Sequence, residues 1–152
     1  LILLRRSTLR ILLVALVVFV LDQVSKALVV ARMRVGEEIE VFPLLALELT
    51  SNTGVAFGLA SDVPPLALAL LASVIVLLLL ILGSRLKWRG SSLAIGLVLG
   101  GALGNLADRI FRGSVVDFIA VPYWPTFNLA DVGITTGVVL LLVGSLRSGG
   151  GR

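Results

Sequence analysis

The sequence predicts an all-α membrane protein: four transmembrane helices, with a small β-sheet on the outer side between helices 1 and 2. Three observations carry this expectation. Of the 152 residues, 58% are hydrophobic and only 14% are charged, and the mean hydropathy is +1.11, more apolar than a soluble domain with a solvated surface can be. Four apolar segments, about 9–30, 65–82, 93–110 and 127–146, each approach the roughly 20 residues that a helix needs to cross a bilayer. The charges also sort by side, as described below. Together the spans leave no room for a separate soluble domain, so residues 1–152 read as one integral membrane unit.

The first segment, as a helix rising 1.5 Å per residue, is about 33 Å long, enough for a hydrocarbon core of roughly 30 Å. Asp22, Gln23, Ser25 and Lys26 lie in its second half. A cleavable leader has a shorter apolar run and a small-residue cleavage site, so this segment is expected to remain as a span. Arg5, Arg6 and Arg10 precede it, Arg85, Lys87 and Arg89 separate the second and third spans, and Arg147 and Arg152 follow the fourth. The positive-inside rule places these segments, and with them both termini, in the cytoplasm. All nine acidic residues lie at or beyond the opposite ends.

Two outer segments differ in character. Residues 32–62 include Glu37-Glu-Ile-Glu-Val-Phe-Pro-Leu-Leu-Ala-Leu-Glu-Leu-Thr50, whose partial alternation and β-branched residues predict a short sheet or hairpin at the membrane surface. Residues 112–126 contain Gly113, Pro122 and Pro125 and are expected to form a loop, with Phe118, Tyr123 and Trp124 in an interfacial aromatic belt.

The chain has no Cys and no His. Thiol catalysis, disulfides, Cys/His zinc sites and a Ser-His-Asp triad are therefore excluded; no metal and no cofactor is expected. The net charge of +4 reads as a topology signal rather than a nucleic-acid footprint. Ionisable groups in a span are functional candidates by default, against the alternative of snorkelling to the interface. Asp117 and Asp131, fourteen positions apart, flank a loop that must return to the membrane, so they can meet at one depth. Two carboxyls held close cannot both ionise, and the shared proton makes one a base and the other an acid around a single water. Asn128, three residues before Asp131, is placed on the same helical face to orient it. The alternative has Asp117 capping a helix or facing solvent and Asp131 paired with an arginine.

Three further clusters are weighed the same way. Gly96, Gly100 and Gly104 form a small-residue stripe that reads first as helix packing, while Asn105 and Arg109 share a face one turn apart. Arg109 either holds a dyad carboxylate or a lipid phosphate, or anchors at the interface. Asn52-Thr-Gly54-Val-Ala-Phe57 reads first as a turn. Asp22-Gln-Val-Ser-Lys26 is an i,i+4 acid–base pair, either structural or a Ser-Lys catalytic remnant; adjacent Ser25 and Lys26 point different ways on a helix, which disfavours the latter.

The ordered blocks Leu21-Asp-Gln-Val-Ser-Lys26, Asn52-Thr-Gly-Val-Ala-Phe57, Gly100-Gly-Ala-Leu-Gly-Asn-Leu-Ala-Asp-Arg109, Val115-Val-Asp-Phe118 and Phe127-Asn-Leu-Ala-Asp131 resemble bacterial lipoprotein signal peptidases, the type II signal peptidases. The resemblance covers most of the chain. It implies a four-span aspartic intramembrane protease of the bacterial inner membrane that removes the signal peptide of diacylglyceryl-modified prolipoproteins before the lipidated cysteine. It implies Asp117 and Asp131 as the catalytic pair, with Asn52, Gly54, Asn105, Arg109 and Asn128 lining the site and Asp22 and Lys26 supporting it. The segment from Val35 to Phe57 then corresponds to the family's periplasmic β-cradle, and a monomer is expected. Two departures stand out: Val132-Gly133 follow Asp131 where the family usually has Ser-Ala, and the loop between the aspartates is short. The competing class is a four-span proton-coupled transporter with Asp22 or Asp131 as its carboxylate, but such a protein usually carries a lone acid near mid-span and little structure outside.

Overall fold

The structure is a computed structural model and describes residues 6–52, 67, 71, 74–78, 81 and 90–149. Helix α1 spans Arg6–Arg32, strands β1 and β2 span Glu38–Phe42 and Leu45–Asn52, helix α2 spans Ser91–Phe111, strands β3 and β4 span Val115–Val121 and Trp124–Phe127, and helix α3 spans Leu129–Gly149. These three helices are, among the described residues, the ones long and apolar enough to cross a membrane. Most of the expected second span, 65–82, lies outside the described residues, as do Gly54 and the basic linker 85–89; its described residues 67, 71, 74–78 and 81 are helical.

Helix α1 runs through 27 residues without Gly or Pro, so nothing in its interior breaks the hydrogen-bond ladder. Most of its Leu and Val side chains face outward: Leu13, Leu16, Val17 and Leu21 are all more than half exposed. In water such a surface would be unstable, whereas in lipid it is the solvated face. Its buried residues are Ala15, Asp22 and Lys26, so the polar side chains point inward, the arrangement that hydrocarbon solvent imposes.

Helix α2 packs against both α1 and α3, and its glycines set how closely. A Cβ on Gly100 would stand 2.5 Å from the Ala15 carbonyl oxygen and 2.8 Å from Val18 Cβ on α1. Because the obstacle is backbone, it cannot rotate away. Gly100→Ala is therefore expected to separate α1 from α2 at a cost of about 1–3 kcal/mol, read as a fall of several degrees in the thermal unfolding midpoint of the detergent-solubilised protein. The stripe Gly96, Gly100 and Gly104 does face α1, as its spacing predicts. Gly113, at φ +76°, follows the last turn of α2, where a left-handed residue ends a helix without a Cβ penalty.

The four strands form one antiparallel sheet in the order β1-β2-β3-β4, at the end of the bundle where α1 and α2 finish and α3 begins. The expected loop 112–126 is thus largely strand, and half of the sheet comes from between α2 and α3 rather than from 32–62. The first four residues of β3, Val115 to Phe118, are all buried, so the period-2 alternation that marks a half-exposed strand is missing. Pro122 and Pro125 are accommodated at the β3–β4 turn and in β4 at the sheet edge, where a missing N–H is tolerated. Phe118 is buried at 5% exposure, so it is no part of an aromatic belt, while Tyr123 and Trp124 are exposed. A small core of Met33, Leu49 and Val116, with Val29 and Leu47 packed on it, fastens the sheet to the end of α1.

Candidate active site

Where sheet and helices meet, the structure buries Asp22, Lys26, Asp108, Asp117 and Asn128 at 3% exposure or less. Buried polar groups need hydrogen-bond partners, and buried charges need pairing as well; all five are hydrogen-bonded, and Asp22, Lys26 and Asp108 are also ion-paired. The Lys26 ammonium contacts Asp22 Oδ2 and Asp108 Oδ2, both at 2.8 Å, and donates to Asn105 Oδ1 at 3.0 Å. Three donors thus meet three acceptors, the full capacity of an ammonium. Asp108 is held further by Arg112 Nη1 at 2.8 Å and by the Val116 backbone N–H at 3.2 Å, and Gln23 Nε2 bridges Asp108, Asp22 and the Gly104 carbonyl. A Cβ on Gly104 would stand 2.5 Å from Asp22 Oδ2, so the glycine leaves the space that the carboxylate fills. Ser25 Oγ donates to the Asp22 backbone carbonyl at 2.8 Å, a bond along its own helix.

Asp22 reaches across the bundle with its other oxygen, Oδ1, to accept the Ala130 backbone N–H at 2.9 Å. This satisfies one of the free N–H groups in the first turn of α3. Asn128 closes the same helix end. Its Oδ1 accepts the Asp131 N–H at 3.0 Å, while Asp131 Oδ2 accepts the Asn128 N–H at 3.2 Å, the reciprocal geometry of a capping box. Asn128 is thus the cap before α3 rather than a residue on its face.

That cap also joins the two aspartates. Asn128 Nδ2 donates to Asp117 Oδ1 at 2.7 Å and lies 3.2 Å from the Val116 carbonyl and 3.1 Å from Asn105 Oδ1. Asn105 Nδ2 in turn donates to Asp131 Oδ1 at 2.8 Å. Asn52 is the last residue of β2, opposite Val115 in the register, and its Nδ2 donates to Asp117 Oδ2 at 3.2 Å. It arrives from a strand, although its sequence context reads as a turn. Arg109 makes no ion pair with Asp117 or Asp131 among the described residues; its Nη1 donates to the Asn105 carbonyl at 3.3 Å. The sequence reading assigns Asp108 no role of its own, yet it anchors Lys26. The available signal was its i,i+4 spacing to Arg112, but its partner Lys26 lies on another helix.

Burial, and then the charge of Asp131, push the Asp117 carboxyl up to about 6 from its ordinary 3.8. A carboxyl with a raised folded pKa stabilises the fold fully below its unfolded pKa, and that contribution is lost as pH rises through about 6. Asp117→Asn, a neutral isostere, is therefore expected to be more stable than the parent protein at pH above about 7 and to flatten the stability profile between about pH 4 and 7, measured by thermal unfolding in detergent across that range.

Beside Asp131, a groove of about 300 Å³ opens between Trp124, Phe127, Val132, Thr135 and Thr136. Among the described residues, the Asp131 carboxyl is the ionisable group on its wall. These features define a class: a membrane-spanning protein with two carboxyls linked by one asparagine beneath a surface sheet, and no group for thiol or imidazole chemistry.

The comparisons with known proteins fit that class. The family described as signal peptidase (SPase) II matches residues 14–147. A lipoprotein signal peptidase of Aquifex aeolicus is 44% identical over 138 residues, covering 86% of this chain and 81% of the relative. One from Pseudomonas aeruginosa strain UCBPP-PA14 is 44% identical over 147 residues, covering 89% of this chain and 86% of the relative. A solved bacterial membrane enzyme superposes with a TM-score of 0.75 at 32% identity, covering 90% of this chain and 87% of that one. The chain belongs to the signal peptidase II family, a family of aspartic proteases.

Proposed function

We propose that this protein removes the signal peptide of diacylglyceryl-modified prolipoproteins by hydrolysing the peptide bond immediately before the lipidated cysteine, with Asp117 and Asp131 as the catalytic pair. The observation that carries the reading is Asn128. One residue, at the mouth of a transmembrane helix, is hydrogen-bonded to both aspartates, so the two carboxyls are held as a unit around one point. Family membership and the relatives' names support the substrate class.

The chemistry needs one proton on the pair. The ionised carboxylate takes a proton from water as the hydroxide adds to the scissile carbonyl carbon, and the protonated carboxyl gives its proton to the carbonyl oxygen. A tetrahedral intermediate forms with no bond to the enzyme. The raised Asp117 pKa, about 6 in place of 3.8, extends the pH range over which the pair can hold that proton toward neutrality. The cations at the far ends of the helices support an orientation with the termini in the cytoplasm and the sheet and site at the outer, periplasmic face of the bacterial inner membrane. A substrate anchored by an apolar signal helix and by acyl chains meets a site at that depth. The groove beside Asp131, with apolar side chains and two threonines, suits such a substrate better than a charged soluble peptide. The transporter reading has less support, because the buried acids on α1 and α2, Asp22 and Asp108, are both paired with Lys26. The protein is proposed to act as a monomer, with prolipoprotein and bilayer lipid as its partners.

The test uses purified full-length chain in detergent with one prolipoprotein in two forms, unmodified and carrying diacylglycerol on its cysteine. Cleavage of the modified form alone, at the bond before the cysteine, is expected. Equal cleavage of both forms would remove the lipid requirement from the proposal.

A further inference from the structure

Asp117 and Asp131 are alike as residues, but their surroundings are not. The Asn105 amide has only one orientation open to it, because its Oδ1 accepts from the Lys26 ammonium at 3.0 Å, a group that can only donate. Its Nδ2 is thereby committed to donate to Asp131 Oδ1 at 2.8 Å. The other Asp131 oxygen faces a backbone N–H, that of Asn128 at 3.2 Å, which also can only donate. Asp131 further lies in the first turn of the 21-residue helix α3, where the aligned peptide dipoles favour a negative charge. The Asn128 amide is likewise turned to donate to Asp117, because its Oδ1 accepts the Asp131 N–H, but Asp117 does not itself lie in the first turn of a helix. It sits on a strand between the buried residues Val116 and Phe118, itself 3% exposed, and its oxygens accept from the side-chain amides of Asn128 and Asn52.

We infer that Lys26, acting through Asn105, is a positioning residue that holds Asp131 as the resting carboxylate and leaves the shared proton on Asp117. The inference rests on the dyad proposed above. Asp131 then takes the proton of the attacking water while Asp117 protonates the carbonyl oxygen. As the intermediate collapses, the C–N bond breaks, Asp131 gives its proton to the departing nitrogen, and Asp117 recovers one from a hydroxyl of the intermediate. Both carboxyls return to their starting states. The other charges acting on Asp131 are Asp22 on α1 and Arg109 on α2; Lys26 and Arg109 also act on Asp117, and Asp117 and Asp131 act on one another across the site. Lys26 is itself balanced by Asp22 and Asp108.

The test is the pH profile of kcat/KM for a synthetic diacylglyceryl prolipoprotein peptide, using the full chain in detergent. Asn105→Ala removes a donor from the resting base, so the acid limb is expected to move up by about one pH unit. Asn52→Ala removes a donor from the acid, so it should raise the alkaline limb and leave the acid limb in place. The charge-balanced pair Lys26→Met with Asp22→Asn should raise the acid limb relative to Asp22→Asn alone. Movement of the acid limb by Asn52→Ala and not by Asn105→Ala would reverse the assignment, and loss of kcat in Asn105→Ala without a moved limb would reduce Asn105 to a structural role. If these variants do not fold, carboxyl 13C NMR of the parent protein decides, with the two signals identified by their absence in Asp117→Asn and Asp131→Asn. An ionised Asp131 beside a protonated Asp117 between the limbs is expected, and the opposite overturns the inference. Failure of the dyad itself shows separately, as activity retained in either Asp→Asn variant.

Discussion

Asp117→Asn and Asp131→Asn are each expected to lower kcat/KM at least about a thousandfold while leaving the protein folded. The size follows from what each carboxyl does. An asparagine at 131 cannot take a proton from water at neutral pH, and one at 117 has no acidic proton for the carbonyl oxygen, so either change removes a step with no substitute in a chain lacking His and Cys. The folded state should survive because each substitution keeps the shape and one of the two acceptor oxygens. An amide oxygen at 117 can still accept from Asn128 Nδ2, and one at 131 can still accept the Asn128 N–H. Cleavage of the diacylglyceryl precursor, followed by gel shift alongside thermal unfolding of the same samples, separates lost chemistry from lost structure. Full activity in either variant would remove that aspartate from the mechanism.

The spans flanking this site were readable in the sequence because hydrocarbon demands long unbroken apolar runs, and α1, α2 and α3 end within a few residues of the expected bounds. The sheet was half readable. The hairpin β1–β2 carries a partial alternation, whereas β3 is buried along Val115 to Phe118 and looks like any apolar run. Asn52 reads as a turn because Asn and Gly lie close together, yet it ends a strand whose pairing with β3 carries it to Asp117. Asn128 could be linked to Asp131 by spacing but not recognised as a cap, because the first residue of α3 was not fixed by the pattern. Asp108 was hardest to see: nothing local shows that Lys26 points at it from another helix.

One consequence of this arrangement is that the site is built on α1 as much as on the strands and helices that carry the aspartates. Asp22 caps α3 through Ala130, and Lys26 orients the Asn105 amide that donates to Asp131. Helix α1 thus contributes no proposed catalytic side chain but fixes the position of one. The inward-facing charges of α1 would be unfavourable in lipid by about 2.5–3.5 kcal/mol each if unpaired. Their pairing with α2 therefore also ties the register of the two helices to the geometry of the site.

Lys26→Met is the test of that dependence, and it is expected to destabilise the protein by about 3–5 kcal/mol, because it strands charges that the bundle has already buried. Methionine matches the length of the lysine stem but leaves Asp22 without its ion-pair partner and Asp108 with Arg112 alone. Adding Asp22→Asn should restore much of the loss. The asparagine removes the orphaned charge yet keeps an oxygen for the Ala130 N–H, and the remaining Asp108–Arg112 pair is balanced. A double-mutant cycle on thermal or denaturant unfolding should therefore show strong coupling, with the double variant more stable than Lys26→Met alone. Additive losses would mean that the two residues stabilise the fold independently, and the ion pair would then not hold α1 to the site. Activity should recover less than stability in the double variant, since the neutral side chain at 26 no longer fixes the Asn105 amide against Asp131.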